Sequence, residues 1–87
     1  MTKQWNVTVD GEPYTVGIEM TPILGKLTVT INGESFPLPP KFLTCLFGRK
    51  ERLMLGEKLA LLVIKPLMRA DIVVGGKYVE SGEDYTG

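Results

Sequence analysis

The chain has 87 residues, which allows one domain with one core and is too short for most nucleotide-binding or barrel enzymes. Ten Lys and Arg balance ten Asp and Glu, so neither a basic excess suited to nucleic acid nor an acidic solvating tail is indicated. Histidine is absent, which excludes every triad and zinc site built on imidazole, and the single cysteine cannot close an intrachain disulfide.

No apolar run follows Met1–Trp5, so no secretory signal or membrane anchor is predicted, and the expected location is cytoplasmic. Apolar residues then recur at every second position, the mark of half-buried strands. Trp5, Val7 and Val9 alternate with Gln4, Asn6 and Thr8, and after Asp10-Gly11 the pattern resumes at Tyr14, Val16, Ile18 and Met20. Asp-Gly suits a tight hairpin turn, because both central positions need positive φ. Leu27, Val29 and Ile31 lead through Asn32-Gly33 to Phe36 and Leu38, a second hairpin. Pro37, Pro39 and Pro40 restrict its outgoing arm to a sheet edge, since proline cannot donate to a ladder.

Residues 41–47 fit either a short helix after Pro40 or a strand, and their length favours the strand. Leu53 and Leu55 alternate again. Leu59–Ile64 is apolar throughout and ends at Lys65-Pro66, as a central strand covered on both faces would. Ala70, Ile72 and Val74 reach a third turn pair, Gly75-Gly76, before Lys77-Tyr78-Val79 and a polar tail, 80–87, expected to fray. The whole, residues 1–87, reads as one all-β domain, an antiparallel β-sandwich of about eight short strands with the strand order open. Trp5 is expected to anchor the core, and Asp10, Gly11, Asn32, Gly33, Gly75 and Gly76 to serve turn geometry.

The series Trp5-x-Val7-x-Val9-Asp10-Gly11, Ile18-Glu19, Gly25-Lys26, Val29-x-Ile31-Asn32-Gly33, Gly48-x-x-Glu51, Leu55-Gly56 and Ile72-Val73-Val74-Gly75-Gly76-Lys77 resembles one domain of the Fas apoptotic inhibitory molecule family. The likeness runs from about Gln4 to about Tyr78, and the proline cluster 37–40 departs from it. Animal members carry two such domains in tandem. The resemblance implies an eight-stranded sandwich without catalytic residues, in a family associated with cell-survival signalling and protection against protein aggregation; the part that transfers to a lone domain is a binding or structural role.

No residue pattern points to catalysis. Cys45 lies among apolar neighbours as a small core hydrophobe. The carboxylates Glu12, Glu19, Glu34 and Asp71 are not clustered by any motif. Arg49-Lys50-Glu51-Arg52 reads as a solvated hairpin tip, and Pro37–Lys41 as a rigid connector rather than a proline-rich ligand. The chain is therefore expected not to be an enzyme and to need no metal or cofactor.

The informative surplus is apolar. A thin sandwich needs one buried face per strand, yet Leu59–Ile64 offers two, so something must cover the outer face. Leu62, Ile64, Met54, Met68 and Phe47 are the candidate protein-interaction surface, covered in an isologous homodimer or used to hold another protein and restrain its aggregation. Nucleic acid and membrane are not expected partners. The rivals are a small-ligand or carbohydrate module using Trp5, Tyr14 and Tyr78, and a structural subunit of a larger assembly.

Overall fold

In the computed structural model, which describes residues 1–67 and 69–86, each of the three turn pairs closes a hairpin. Asp10 and Gly11, Asn32 and Gly33, and Gly75 and Gly76 all take positive φ. That backbone twist matches the right-handed twist of the strands being joined. The hairpins belong to two antiparallel sheets of four strands each, in which every strand pairs with its neighbours in sequence. One sheet is β1 (Thr2–Val9), β2 (Glu12–Met20), β3 (Leu27–Ile31) and β4 (Glu34–Leu38). The other is β5 (Arg49–Leu55), β6 (Lys58–Lys65), β7 (Arg69–Val74) and β8 (Lys77–Tyr78).

The sheets stack as a sandwich over one continuous apolar cluster. Alternation assigns its members: Trp5, Val7 and Val9 from β1 meet Val16 and Ile18 of β2, and face Ala60, Leu62 and Ile64 of β6 and Ile72 of β7. Each such side chain contributes roughly 1.5–3 kcal/mol by leaving water. Trp5 is almost fully buried, and its indole Nε1 donates to Glu80 Oε1 at 2.8 Å.

Residues 41–47 depart from the favoured strand: Thr44–Phe47 forms a short helix, α1. Pro39 and Pro40 cannot extend the ladder, Leu43 turns left-handed just before the helix, and Gly48, at positive φ, ends it by donating its N–H to Thr44 O.

The two-faced strand is real, but its cover belongs to this chain. In β6, Leu62 pairs with Glu51 and Ile72, and Ile64 with Arg49 and Ala70, which turns both inward. Leu62 and Ile64 are therefore core residues and not part of an interaction surface. An uninterrupted apolar run conceals which parity faces in, because both choices look alike in sequence. On the outer face, Val63 and Val73 are also buried. Val73 pairs with Tyr78, whose ring meets Tyr85 edge-on at 5.7 Å, while Lys65 and Lys50 lie over the two rings. The tail reaches this face because Tyr78 N–H donates to Glu83 O and Tyr85 N–H to Gly76 O. Residues 80–86, expected to fray, thus fold back against β8.

Candidate functional site

The two ends of the sandwich differ in what they expose. One end holds the four hairpin turns, with Asp10, Glu12, Glu34 and Glu57 beside Lys58. At the other end three loops meet: the β2–β3 loop, the β4–β5 connection carrying α1, and the β6–β7 turn.

Backbone hydrogen bonds join these loops. Leu43 N–H donates to Ile23 O at 2.7 Å, Cys45 N–H to Pro22 O at 3.3 Å, Lys41 N–H to Gly25 O at 3.2 Å and Leu67 N–H to Cys45 O at 2.9 Å. Thr44 is fully buried and donates its hydroxyl to Lys41 O. Gly25 is required here, because a Cβ on it would stand 1.8 Å from Lys41 O. Arg49 completes the junction. It is 6% exposed, and its guanidinium donates to Gly25 O at 3.1 Å, to Pro39 O at 3.0 Å and to Glu51 Oε1 at 2.6 Å. Arg49 is therefore not part of a solvated hairpin tip: it is the first residue of β5, paired with Ile64, and its side chain points between the sheets.

This ordered end nevertheless presents large apolar side chains to solvent. Ile23, Leu24, Phe42 and Leu46 are each more than half exposed, Phe47 is 71% exposed and Leu67 78%. Leu43 and Leu67 also hold φ of 60° and 67°. A bulky side chain in the left-handed region costs about 1–3 kcal/mol, and such strain concentrates at working surfaces. Lys26, Lys41 and Arg69 also stand exposed at this end, while Lys65 turns back over the Tyr78 ring. Of the carboxylates near this end, Glu51 is engaged by Arg49 and Glu80 by Lys3, Asp71 accepts from the Ile72 N–H beside Lys65 and Arg69, and Glu19 stands on the outer face of β2.

Of the residues singled out from sequence, Phe47 belongs to this end. Met54 is exposed near the far end of β5, opposite Leu59, six residues from Gly48 and so about 20 Å away at strand rise. Met68 lies outside the described residues. The five candidates accordingly do not form one surface. Alternation in the strands identified the core; the exposed loop hydrophobics carry no periodic signal, although Pro22-Ile23-Leu24-Gly25 and Phe42–Phe47 are apolar stretches beside turn residues.

Two other arrangements bear on the rival readings. The open side of the sandwich between β4 and β5 holds a cleft of about 280 Å³ lined by Val29, Ile31, Phe36, Leu38 and Leu53, with Arg52 and Met54 at its wall. The rings proposed for sugar contact do not share a face: Trp5 is in the core, Tyr14 has its hydroxyl against Gly56, and Tyr78 pairs with Tyr85. Among the described residues no three His, Cys, Asp or Glu side chains converge as a metal site, and no helix is long and apolar enough to cross a membrane. Glu80 is held by Lys3 and Trp5. Its hydrogen bond from Lys3, aided by Trp5 and by the Lys3 charge, holds the carboxyl below the usual carboxylate range against a smaller desolvation effect. No protein-family model, curated protein or solved structure matches the chain.

Proposed function

We propose that this protein is a non-catalytic binding module whose working surface is the apolar end formed by the Ile23–Leu24 loop, the Phe42–Phe47 segment and Leu67. The observation that carries this reading is the pairing of order with exposure. Loops tied together by four interloop hydrogen bonds hold six large hydrophobic side chains in water. Large apolar side chains gathered in water on joined loops suit an interaction site. The protein-binding and aggregation-restraining role suggested by the resemblance to the Fas apoptotic inhibitory molecule family would use the same end, by covering apolar segments of another chain.

The test combines light scattering with a dye that reports apolar surface, on the parent and on Phe47→Ser/Leu67→Ser. A cooperatively folded parent that binds dye, with most of the signal lost in the variant, supports the reading. A stable dimer that binds no dye refutes it, because the end would then be a subunit interface. A small-ligand module is the second reading, carried by the β4–β5 cleft; an apolar ligand protected from quenching only when Leu53 is left intact would favour it.

A further inference from the structure

The two sheets are out of step by one strand. β1 lies across from β7, where Lys3 Nζ donates to Ala70 O at 2.7 Å, and the cleft places β4 and β5 on the same side. With each sheet in sequence order, β2 then lies over β6 and β3 over β5, and β4 has no strand beneath it. Burial agrees. Val29 of β3 is fully buried, whereas its ladder partner Phe36, on the same face of β4, is 42% exposed. On the opposite side the tail closes the sandwich, because Glu80 accepts from Lys3 and Trp5.

β5 is the edge that a further strand would join. The turn Gly56-Glu57 has two residues, so Leu55 and Lys58 exchange hydrogen bonds, and the alternation continues through Leu53, Glu51 and Arg49. The N–H and C=O groups of Arg52 and Met54 therefore point away from β6, and no hydrogen bond to them forms among the described residues. By the same rule Ser35 and Pro37 face outward from β4, where Pro37 has no N–H to offer. A strand added to β5 would stand about 4.8 Å beyond it, beneath β4. Its alternate side chains would meet Ile31, Phe36 and Leu38 in the cleft of about 280 Å³.

This geometry selects the occupant. A second copy paired antiparallel through β5 about a twofold axis would bring its own β3 to the place that β4 holds. Paired in parallel, it would turn its exposed Lys50 and Arg52 toward Phe36. A single extended segment meets neither obstacle. Its outward side chains would lie beside Arg52, whose guanidinium forms no ion pair among the described residues, so a carboxylate suits them.

We propose that the open edge of β5 takes an extended segment of another polypeptide as the fifth strand of its sheet, with apolar side chains at alternate positions filling the cleft and a carboxylate beside Arg52. Backbone pairing supplies the affinity, and the cleft supplies the preference for alternation.

An NMR titration of the isotope-labelled chain tests it, using a blocked seven-residue peptide in which valine alternates with threonine and glutamate. The Arg52 and Met54 amides should exchange rapidly with solvent in the free chain and slow about tenfold or more at peptide saturation. Methylating one alternate set of peptide amide nitrogens should weaken binding about tenfold or more, and methylating the other set far less, because only one set faces β5. Phe36→Ser should weaken binding about fivefold, and Arg52→Glu about threefold with a switched preference for a peptide carrying lysine in place of glutamate. Both positions are exposed, and unchanged melting of each variant confirms that folding is intact. No binding at about 1 mM peptide overturns the proposal, as does equal binding by both methylated peptides. Side-chain shifts at Phe36 and Leu38 without amide protection would mean a cleft for an apolar small ligand. Shifts confined to Phe47 and Leu67 would mean that the peptide binds the loop end, and protection that grows with protein concentration alone would mean a second copy. Each of these three results overturns the added strand.

Discussion

Replacing Arg49 by methionine tests the junction that holds the apolar end together. Methionine keeps most of the apolar stem but removes the donors to Gly25 O, Pro39 O and Glu51 Oε1. Breaking a fully buried pair costs about 3–5 kcal/mol, because the remaining charge is stranded. Two features reduce that figure here: Glu51 remains about a third exposed and can be hydrated, and Gly25 O keeps its bond from Lys41. The Pro39 carbonyl is left to water or to no partner, at about 1–3 kcal/mol. We expect a net loss of about 2–3 kcal/mol, which for a domain of this size lowers Tm by roughly 10–20 °C. Urea unfolding followed by Trp5 fluorescence measures it. Adding Glu51→Gln to Arg49→Met should recover about 1 kcal/mol by removing the stranded charge. Arg49→Lys should still lose about 1–2 kcal/mol, since an ammonium cannot reach partners on both loops as a planar fork does. If Arg49→Met costs less than about 0.5 kcal/mol, the junction is not held by this side chain and the argument fails.

Trp5→Ala should cost about 3–5 kcal/mol and leave little folded baseline, whereas Trp5→Phe, which keeps the ring but loses the bond to Glu80, should cost far less; equal melts for the parent and the Ala variant would place Trp5 outside the core. Glu80 has a lowered pKa in the fold, so its contribution is present above the ordinary carboxylate pKa of about 4.3 and is lost as pH falls through the lower folded value. Glu80→Gln should accordingly flatten the acid limb of the stability profile, and an unaltered limb would show that Lys3 and Glu80 do not interact in solution. Gly25→Ala should disrupt the loop junction through the approach to Lys41 O, read as a lower Tm together with altered dye binding. Leu67→Asn should raise Tm by a few degrees, because Asn accepts the left-handed backbone at less cost, while weakening binding at the apolar end; a lower Tm would mean that the exposed Leu67 side chain stabilises the fold.

The strands were legible because period two and the paired turn residues agree with each other: Trp5, Val7 and Val9 followed by Asp10-Gly11 admit almost no other conformation. Sheet order was not legible, since antiparallel hairpins can be connected in several ways with the same local pattern. The inward parity of Leu59–Ile64 was hidden for a related reason, and so was its cover, which depends on Tyr78 and Tyr85 being brought onto the outer face by hydrogen bonds in the tail. Arg49 looks solvated in the sequence because its immediate neighbours there are charged. Its actual partners, Gly25 and Pro39, come from the loops beside β3 and β4.

The apolar end was invisible for a deeper reason, which also bears on its role. Exposure of Leu67 and Phe47 contradicts the rule by which the core was found, that large apolar residues go inside. A sequence under pressure only to fold would place Asn or Gly at the left-handed position of Leu67 and polar residues on the outer side of α1. Instead the chain keeps strained leucines at Leu43 and Leu67 and joins the loops beneath them with a buried arginine, a buried threonine and a glycine that admits no side chain. Local features that oppose stability while the surrounding structure fixes them in place are the pattern expected where an external surface supplies the missing contacts.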